Sequence, residues 1–398
     1  MLEQSTLDIA SIDRQISEQR HFSIIDWLLS QNQLNYSDYE AWRYGQLPGL
    51  EEKITQNTKA LHDLLVAAKT HCEALGLCAE AQSYYRWDGE HDAVLQASSN
   101  PDRHQQLTQH WIRPQDLPQL DLFMDNSLLI TENALRDSLG GRDFKRAAGL
   151  LAQLIELNPA HQRLGDYQDL VNYGEHMQTN SQIDKDAIDA ELRGLQQEVS
   201  PLARETLANR ARDYLAFAWR RLATNLHDCH FDSGNPERHQ SYALAQIPDW
   251  LAVRESLASN PELYRFAPLL ERKALACESL HENAQALWLW CLLMEQHTEY
   301  AEQAIEQTRG QSVYRVWQNF QNLEEEYPSE YFAAFVLAKH PGLIDQLQAL
   351  APLQSQASLA MLSLVQARLA GEDEIAARAK LQALDPDLLR LYISLISA

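Results

Sequence analysis

Side chains that bind metal ions are concentrated in one polar stretch, "LHDCHFD", which follows a helix-like pattern. Thiolate, imidazole and carboxylate groups are the ligands that Zn²⁺ takes in proteins. Structural zinc sites usually join two separated pairs of ligands, whereas this stretch is one crowded loop. We therefore favour a polar loop between helices, with no metal and no cofactor. The candidate ligands, if a metal is bound, are His227, Cys229, His230 and Asp232, with His239 nearby.

Arginines and an aromatic residue recur along "RETLANRARDYLAFAWRRLATNL". Phe217 and Arg221 follow Arg210 by seven and eleven residues, so one continuous helix would project all three side chains within about 20° of the same direction. Two guanidinium groups beside a ring could hold an acidic or phosphorylated peptide. The alternative, which we favour, is that these arginines pair with acidic groups of neighbouring helices in the same chain.

The segment "SYYRWDG" gathers three aromatic residues, Tyr84, Tyr85 and Trp87, beside residues that interrupt regular structure. An exposed aromatic cluster would mark a contact surface for a partner. Aromatic side chains of helical proteins more often belong to the core between helices, so burial is the alternative interpretation. The segment is a second candidate for partner binding.

Linear signatures of catalysis are absent from the sequence, which has no HExxH, GxSxG, P-loop or GxGxxG motif. The acidic run 324–326 in "NLEEEYPSEY" is typical of a solvated helix end. The paired carboxylates of glycosidases and lyases leave no linear signature, however. An enzyme, or a metal-dependent protein, on a closed α/α toroid therefore stays open as the alternative function.

The net charge restricts the class of partner. The chain has 33 basic and 56 acidic residues and a formal charge of -23, which repels nucleic-acid phosphates and anionic membranes. Residues 22–45 have the lengths of a helix-turn-helix motif, but Asp38 and Glu40 would face phosphates in it. We therefore expect a packed helical hairpin there, and neither nucleic acid nor a membrane as partner.

The composition indicates helices. Only 14 glycines and 14 prolines occur among 398 residues, fewer than turn-rich β proteins need, and no segment shows convincing strand alternation. Five scattered cysteines without a CxxC pair indicate free thiols in a reducing compartment. Neither a signal peptide nor a transmembrane apolar stretch is visible. We expect a cytoplasmic protein, and the sequence does not specify its oligomeric state.

Helical patterns follow one another almost without pause after residue 126, and proline joints separate several of them. "LNPAHQRL", "SNPELYRF" and "LDPDLLRLY" each end one apolar-periodic run and begin another. In each joint an Asn or Asp is a good N-cap, and the following proline suits the first position of a helix. We predict three regions: 1–78, an N-terminal helical region; 79–125, an irregular segment or linker; and 126–398, a helical repeat domain.

The stretch "DFKRAAGLLAQLIELNPAHQRL" resembles the second helix of a tetratricopeptide repeat. That helix has a small residue, an apolar residue four positions later and a closing proline, and Ala147, Leu151 and Pro159 stand at those spacings. The resemblance covers residues 131–165. It implies an all-α fold in which antiparallel helix pairs stack into an α-α superhelix, or solenoid, that binds other proteins.

These observations favour a non-enzymatic scaffold or adaptor that binds a protein, or an acidic or phosphorylated peptide, along a helical-repeat groove. Each helix pair buries its apolar face only against the next pair, so stacking forms the core and leaves an extended concave surface. The candidate contact residues are Arg210, Phe217, Arg221, Tyr84, Tyr85 and Trp87.

Overall fold

Helices make up most of the structure, which is a computed structural model. It describes residues 9–19, 21–55, 58–87, 94–113, 125–309, 311–346 and 355–397. The prediction of a predominantly helical protein is confirmed. Within these ranges no helix combines the length and the apolarity that crossing a membrane requires.

Contacts divide the chain into two compact units. The N-terminal unit comprises Met1–Cys229 and Gln246–Asp249, and the C-terminal unit comprises His230–Ala245 and Trp250–Ala398. Each unit has buried apolar residues of its own. The division into three regions at 79–125 stays a prediction.

Helices account for most of the described residues of the N-terminal unit. They are α1 (Ile9–Gln19), α2 (Ile24–Ser30), α3 (Tyr36–Arg43), α4 (Thr58–Ala74), α5 (Pro101–Thr108), α6 (Asp125–Gly140), α7 (Phe144–Leu157), α8 (Leu164–Thr179), α9 (Ile188–Gly194), α10 (Ser200–Leu207) and α11 (Ala211–Asn225). Residues 22–45, for which a packed helical hairpin was predicted, contain α2 and α3. After α3, Gly45 has a φ of +70°, the left-handed conformation that commonly ends a helix.

A small antiparallel sheet in this unit corrects two predictions. Its strands are β1 (His21–Ser23), β2 (Cys78–Ala81) and β3 (Gln109–Ile112), in the order β1-β3-β2, and Trp111 is paired with both Phe22 and Ala79. The sequence predicted no strands, and the segment 79–125 is not irregular throughout, since it contributes strand residues and α5. Strands of three or four residues are too short for an alternating pattern to be recognised.

Helices α6, α7 and α8 pack consecutively in the region that resembles a tetratricopeptide repeat. Helix α7 begins where predicted because Asp143 Oδ1 accepts the backbone N–H of Arg146 at 3.0 Å, an N-cap contact. Ala147 and Leu151 are buried as the amphipathic pattern predicts. A Cβ atom on Gly174 of α8 would lie 2.3 Å from the ring of Phe144, so the contact between α7 and α8 depends on that glycine.

The one continuous helix considered for "RETLANRARDYLAFAWRRLATNL" is interrupted before its middle. A π-helical turn, Leu195–Val199, precedes α10, and Ala208 then adopts a φ of +50° at the start of a 3₁₀ turn, Ala208–Arg210. Helix α11 starts only at Ala211. The prediction that Arg210, Phe217 and Arg221 share one face of one helix is therefore wrong for Arg210.

The C-terminal unit contains α12 (Gln240–Ala245), α13 (Trp250–Ala258), α14 (Ala267–Ser279), α15 (Asn283–Gln296), α16 (Thr298–Gln307), α17 (Ser312–Gln321), α18 (Phe332–Lys339), α19 (Leu343–Gln346), α20 (Gln356–Leu369), α21 (Ile375–Leu384) and α22 (Pro386–Ser397). Helix α15 contacts α14, α16, α17 and α18, and Trp288 and Trp290 are both buried although they lie on different faces. A helix that is apolar all round is covered all round.

The proline joints differ from one another. Helix α22 starts at Pro386, and Asp385 Oδ1 accepts the N–H of Asp387 at 2.9 Å, as predicted. After Asn158 and Asn260, in contrast, the chain forms turns, and the next helices begin only at 164 and 267. The side chains of both asparagines accept a backbone N–H two residues ahead, as Asp385 does, but the turns that follow them do not continue into a helix.

Candidate ligand-binding cavities of the N-terminal unit

A cavity of about 530 Å³ lies between residues that are far apart in sequence, from Asp26 to Asp213. We call it the arginine cavity, because five arginines and four aromatic residues line it: Arg43, Arg86, Arg146, Arg210 and Arg212, with Tyr39, Tyr84, Tyr85 and Trp87. Its negative lining consists of Asp26, Asp137, Asp143 and Asp213. Segment 82–87, β3, the α6–α7 turn and the start of α11 position these side chains.

Three of the aspartates are neutralised by arginines of the same cavity. Arg212 contacts Asp26 at 2.9 Å and Asp213 at 3.2 Å. Arg210 Nε donates to Asp137 Oδ1 at 2.6 Å, which is the intramolecular pairing that we favoured for this residue. Asp213 thereby joins α11 to the cavity wall, since the phenol groups of two α3 tyrosines also donate to it.

The aromatic segment forms a mostly buried part of the arginine cavity rather than a solvent-exposed surface. Tyr84 and Trp87 are 9% and 6% exposed, as the alternative of burial predicts, and only Tyr85, at 42%, is exposed. The Arg43 guanidinium lies 4.4 Å from the ring centroid of Trp87 and 5.5 Å from that of Tyr84. Guanidinium groups over ring faces gain cation–π attraction, so these rings orient Arg43.

Burial and charge set the protonation states at the base of the cavity. Burial alone would raise the pKa of Asp26, but the charge of Arg212 and a hydrogen bond from His21 hold it well below its usual range. Burial lowers the pKa of His110 to about 4, which the carboxylate of Asp26 only partly opposes. His110 is therefore neutral at pH 7, and its Nε2 lies 3.1 Å from the hydroxyl of Tyr84.

Arg146 differs from the paired arginines. It is exposed on the first turn of α7, and among the described residues its guanidinium makes no ion pair or hydrogen bond. With His110 neutral, the lining carries five positive and four negative formal charges. The cavity therefore has an unneutralised arginine at its edge, in a chain whose formal charge is -23.

Arg86 lies close against the turn after α3. A Cβ atom at Gly45 would lie 2.7 Å from Arg86 Nε, and the positive φ of Gly45 also disfavours any other residue. Gly45 thus combines the end of α3 with room for an arginine that lines the cavity.

Phe217 and Arg221 line a second cavity of about 500 Å³, together with Glu40, Arg220 and Asp249 among others; we call it the Phe217 cavity. Arg221 is buried, and its Nη1 donates to Glu191 at 2.7 Å, so this arginine also pairs within the chain. The structure therefore brings Phe217 and Arg221 together, and it places Arg210, Tyr84, Tyr85 and Trp87 on the arginine cavity.

Arg142, which the sequence analysis did not identify, lies between the residues of the arginine cavity and those of the Phe217 cavity. It is 5% exposed, has a φ of +63°, and its guanidinium lies 3.7 Å from the Trp87 ring centroid. It donates to Glu40 at 3.1 Å and to the hydroxyl of Tyr44 at 2.8 Å. A buried arginine in the left-handed region is held there by its surroundings. The sequence signal is the turn "GGRDF", where an arginine follows two glycines before an N-cap.

The loop that contains His227, Cys229, His230 and Asp232 was considered as a metal site, although a polar loop without metal was favoured. In the part of the chain that the structure describes, no group of three or more His, Cys, Asp or Glu side chains is placed to hold a metal ion. His227, His230 and Asp232 are exposed, and Cys229 is half-buried. His239 is buried, with Nδ1 at 2.8 Å from Ser241 Oγ, and burial lowers its pKa to about 4.

No protein-family model matches the chain, and neither a curated protein nor a solved structure matches it. The evidence for a function therefore lies in the residues of the chain itself.

Proposed function

We propose that the protein is a non-enzymatic scaffold that binds a segment of another protein, and that the arginine cavity receives an acidic or phosphorylated side chain of that segment. One observation carries the proposal. Five arginines and four aromatic residues converge on one cavity of about 530 Å³, and Arg146 at its edge has no ion-pair partner among the described residues.

The chemistry of the lining favours an anion. Guanidinium groups bind carboxylate and phosphate oxygens with two parallel hydrogen bonds, and arginine clusters are a common means of recognising phosphorylated or acidic motifs. Arg210 and Arg212 are already oriented by aspartates, so a ligand anion beside Arg146 meets donors whose positions are fixed. Tyr85, exposed at the same cavity, offers a ring for the adjoining part of the ligand.

The fold proposal that accompanies this function is a tetratricopeptide-like stack of helix pairs. Its support is the consecutive packing of α6, α7 and α8, the burial of Ala147 and Leu151 and the close contact at Gly174. We place the protein in the cytoplasm because its five cysteines are free. Burial raises the pKa of two of them, Cys72 and Cys277, to about 12, so these thiols are unreactive.

The test compares two neighbouring charge reversals, Arg146→Glu and Lys145→Glu. Both side chains are exposed, but only Arg146 lines the cavity. Fluorescence anisotropy with labelled peptide libraries built around phosphoserine, glutamate, serine or lysine measures binding to the full chain. We expect phosphoserine or glutamate peptides to bind the unaltered protein best, and Arg146→Glu to weaken that binding at least about tenfold, because a charge-assisted hydrogen bond is lost.

Lys145→Glu should leave the affinity within about twofold, because the two proteins then differ only in a charge outside the cavity. Equal weakening by both variants would show a general charge effect and would contradict the assignment of the cavity. Equal binding of serine and phosphoserine peptides would contradict the ligand class. Circular dichroism of both variants verifies that the helices are retained.

A second candidate function, an enzyme, is favoured by one specific observation. Asp26, Tyr84 and His110 all line the arginine cavity, and the neutral imidazole of His110 contacts the Tyr84 hydroxyl. A neutral imidazole beside a phenol can exchange a proton with a bound substrate. His110→Gln would then abolish turnover in a screen of hydrolase substrates and leave peptide affinity unchanged, whereas no activity in the unaltered protein would remove this candidate.

A further inference from the structure

A groove of about 740 Å³ in the C-terminal unit has a lining opposite in character to that of the arginine cavity. It lies along α16, α17 and the turn after α17, and we call it the acidic groove. Four glutamates line it, Glu302, Glu306, Glu325 and Glu326, and no lysine, arginine or histidine of the described residues does. Three aromatic residues, Trp317, Phe320 and Tyr327, also line it.

Two of the glutamates are satisfied within the unit and two are not. Glu302 accepts a hydrogen bond from Ser329 Oγ. Glu325 accepts one from the Tyr327 hydroxyl at 2.9 Å and lies 3.9 Å from Nη1 of Arg390, which is not part of the lining. Among the described residues, the carboxylates of Glu306 and Glu326 have neither an ion-pair partner nor a hydrogen-bond donor. Several carboxylates in one groove repel one another, and a bound cation would relieve that repulsion.

Trp317 supplies an independent observation. It is 2% exposed. Its ring stacks on that of Phe320, with the centroids 5.5 Å apart, and meets the ring of Phe332 edge-on, with the centroids 5.3 Å apart. Its buried indole Nε1–H has no acceptor among the described residues. Buried N–H groups are normally paired, because an unpaired one costs roughly 1 to 3 kcal/mol. Because Trp317 lines the groove, a bound ligand is a candidate source of the missing acceptor oxygen.

We infer that the acidic groove binds a basic segment of a partner protein, with a lysine or arginine side chain between Glu306 and Glu326. The ligand's positive charge complements these carboxylates, and the half-buried ring of Tyr327, which also lines the groove, offers cation–π attraction. A peptide carbonyl accepts from Trp317 Nε1, which a small amine without an oxygen atom cannot do. The inference concerns another unit and a ligand of opposite charge, so it goes beyond the proposed function and stands independently of it.

The experiment compares two double neutralisations of the full chain. Glu306→Gln with Glu326→Gln alters the groove. Glu324→Gln with Glu330→Gln removes the same charge from exposed neighbours that do not line it. The probe is a short fluorescein-labelled peptide of lysine, arginine and glycine, measured by anisotropy. We expect the groove variant to weaken binding at least about tenfold and the control variant to change it less than about twofold.

Two further variants separate the groove from general attraction to an acidic protein. Trp317→Phe keeps a ring and removes the N–H, so it should weaken the peptide severalfold. Arg146→Glu, in the arginine cavity, should leave basic-peptide binding unchanged, which makes the outcome independent of the proposed function. Equal weakening by the groove and control double variants would overturn the inference. Competition by spermine at the affinity of the peptide would also overturn it, because a polyamine has no acceptor for the indole.

Discussion

The arginine cavity and the acidic groove show two ways in which charged residues line a concave surface. In the arginine cavity, Asp26, Asp137 and Asp213 lie against arginines, so most of the charge is neutralised and the guanidinium groups are oriented before any ligand arrives. In the acidic groove, Glu306 and Glu326 have no counterion among the described residues, and aromatic side chains line the same groove. Charged side chains that are already in ion pairs have fixed orientations, so they favour ligands of matching geometry. Charged side chains without a counterion favour any ligand of opposite charge.

The largest expected difference between the two is in stability. Arg142→Met removes the buried guanidinium that contacts Glu40, Tyr44 and Trp87. We expect a loss of about 3 to 5 kcal/mol in the free energy of unfolding, the range for breaking a buried ion pair. Glu306→Met in the acidic groove removes an unpaired charge and should change stability by no more than about 0.5 kcal/mol.

Urea unfolding of the full chain, followed by tryptophan fluorescence, measures both variants. Arg146→Met is the control for the first, since Arg146 is an exposed arginine of the arginine cavity, whereas Arg142 is buried and lies against Trp87 of that cavity. If Arg142→Met unfolds at the same urea concentration as Arg146→Met, the arginine cavity has no rigid frame, and the contrast between the two surfaces disappears.

Local signals in the sequence predicted part of this arrangement. Helix α7 was predicted over its full length because its apolar period and the Asp143 cap both act within a few residues. The break at Ala208 has no such signal, since "TLANRA" contains neither glycine nor proline. It moves Arg210 off the α11 face and into a different cavity from Phe217. The positive φ of Ala208 depends on tertiary contacts, which a local pattern does not contain.

The cavities could not be predicted from the sequence either, because they also depend on tertiary contacts. The arginine cavity combines side chains from Asp26 to Asp213, and no spacing rule relates residues that distant. Arg210, Tyr84 and Trp87 were recognised individually by residue type, but not as neighbours. The run 324–326 was interpreted as a solvated helix end, and only the packing of α16 and α17 makes Glu325 and Glu326 part of a groove with Trp317.

A pH titration tests whether the base of the arginine cavity is as closed as its geometry indicates. The pKa of His110 is lowered from 6.5 to about 4 in the folded protein, so the unfolded chain takes up a proton first as the pH falls. Stability is therefore full above pH 6.5 and declines down to about pH 4, by at most about 3 kcal/mol. His239 in the C-terminal unit, lowered to about 4, adds a loss of the same sign.

Unfolding free energies of the unaltered protein, His110→Gln and His239→Gln between pH 7 and pH 4 separate the two contributions. Each variant should show a shallower decline than the unaltered protein. An unchanged slope in His110→Gln would mean that water reaches the imidazole, and that the cavity base is open rather than pre-formed.

Salt provides the finest distinction between the two surfaces. Raising the ionic strength from about 0.1 M to about 1 M shortens the screening length from about 10 Å to about 3 Å. Glu326 is exposed and Glu306 is half-buried, and neither has a described counterion, so we expect basic-peptide affinity to fall about tenfold or more. In the arginine cavity salt also screens the aspartates that compete with the ligand, and Arg210 and Arg212 are only 26% and 31% exposed. Acidic-peptide affinity should therefore fall less, by about threefold.

Anisotropy titrations of both probes at both salt concentrations measure the two ratios. If salt weakened both peptides by the same factor, both surfaces would attract their ligands by net charge alone. The ion pairs of the arginine cavity would then confer no selectivity.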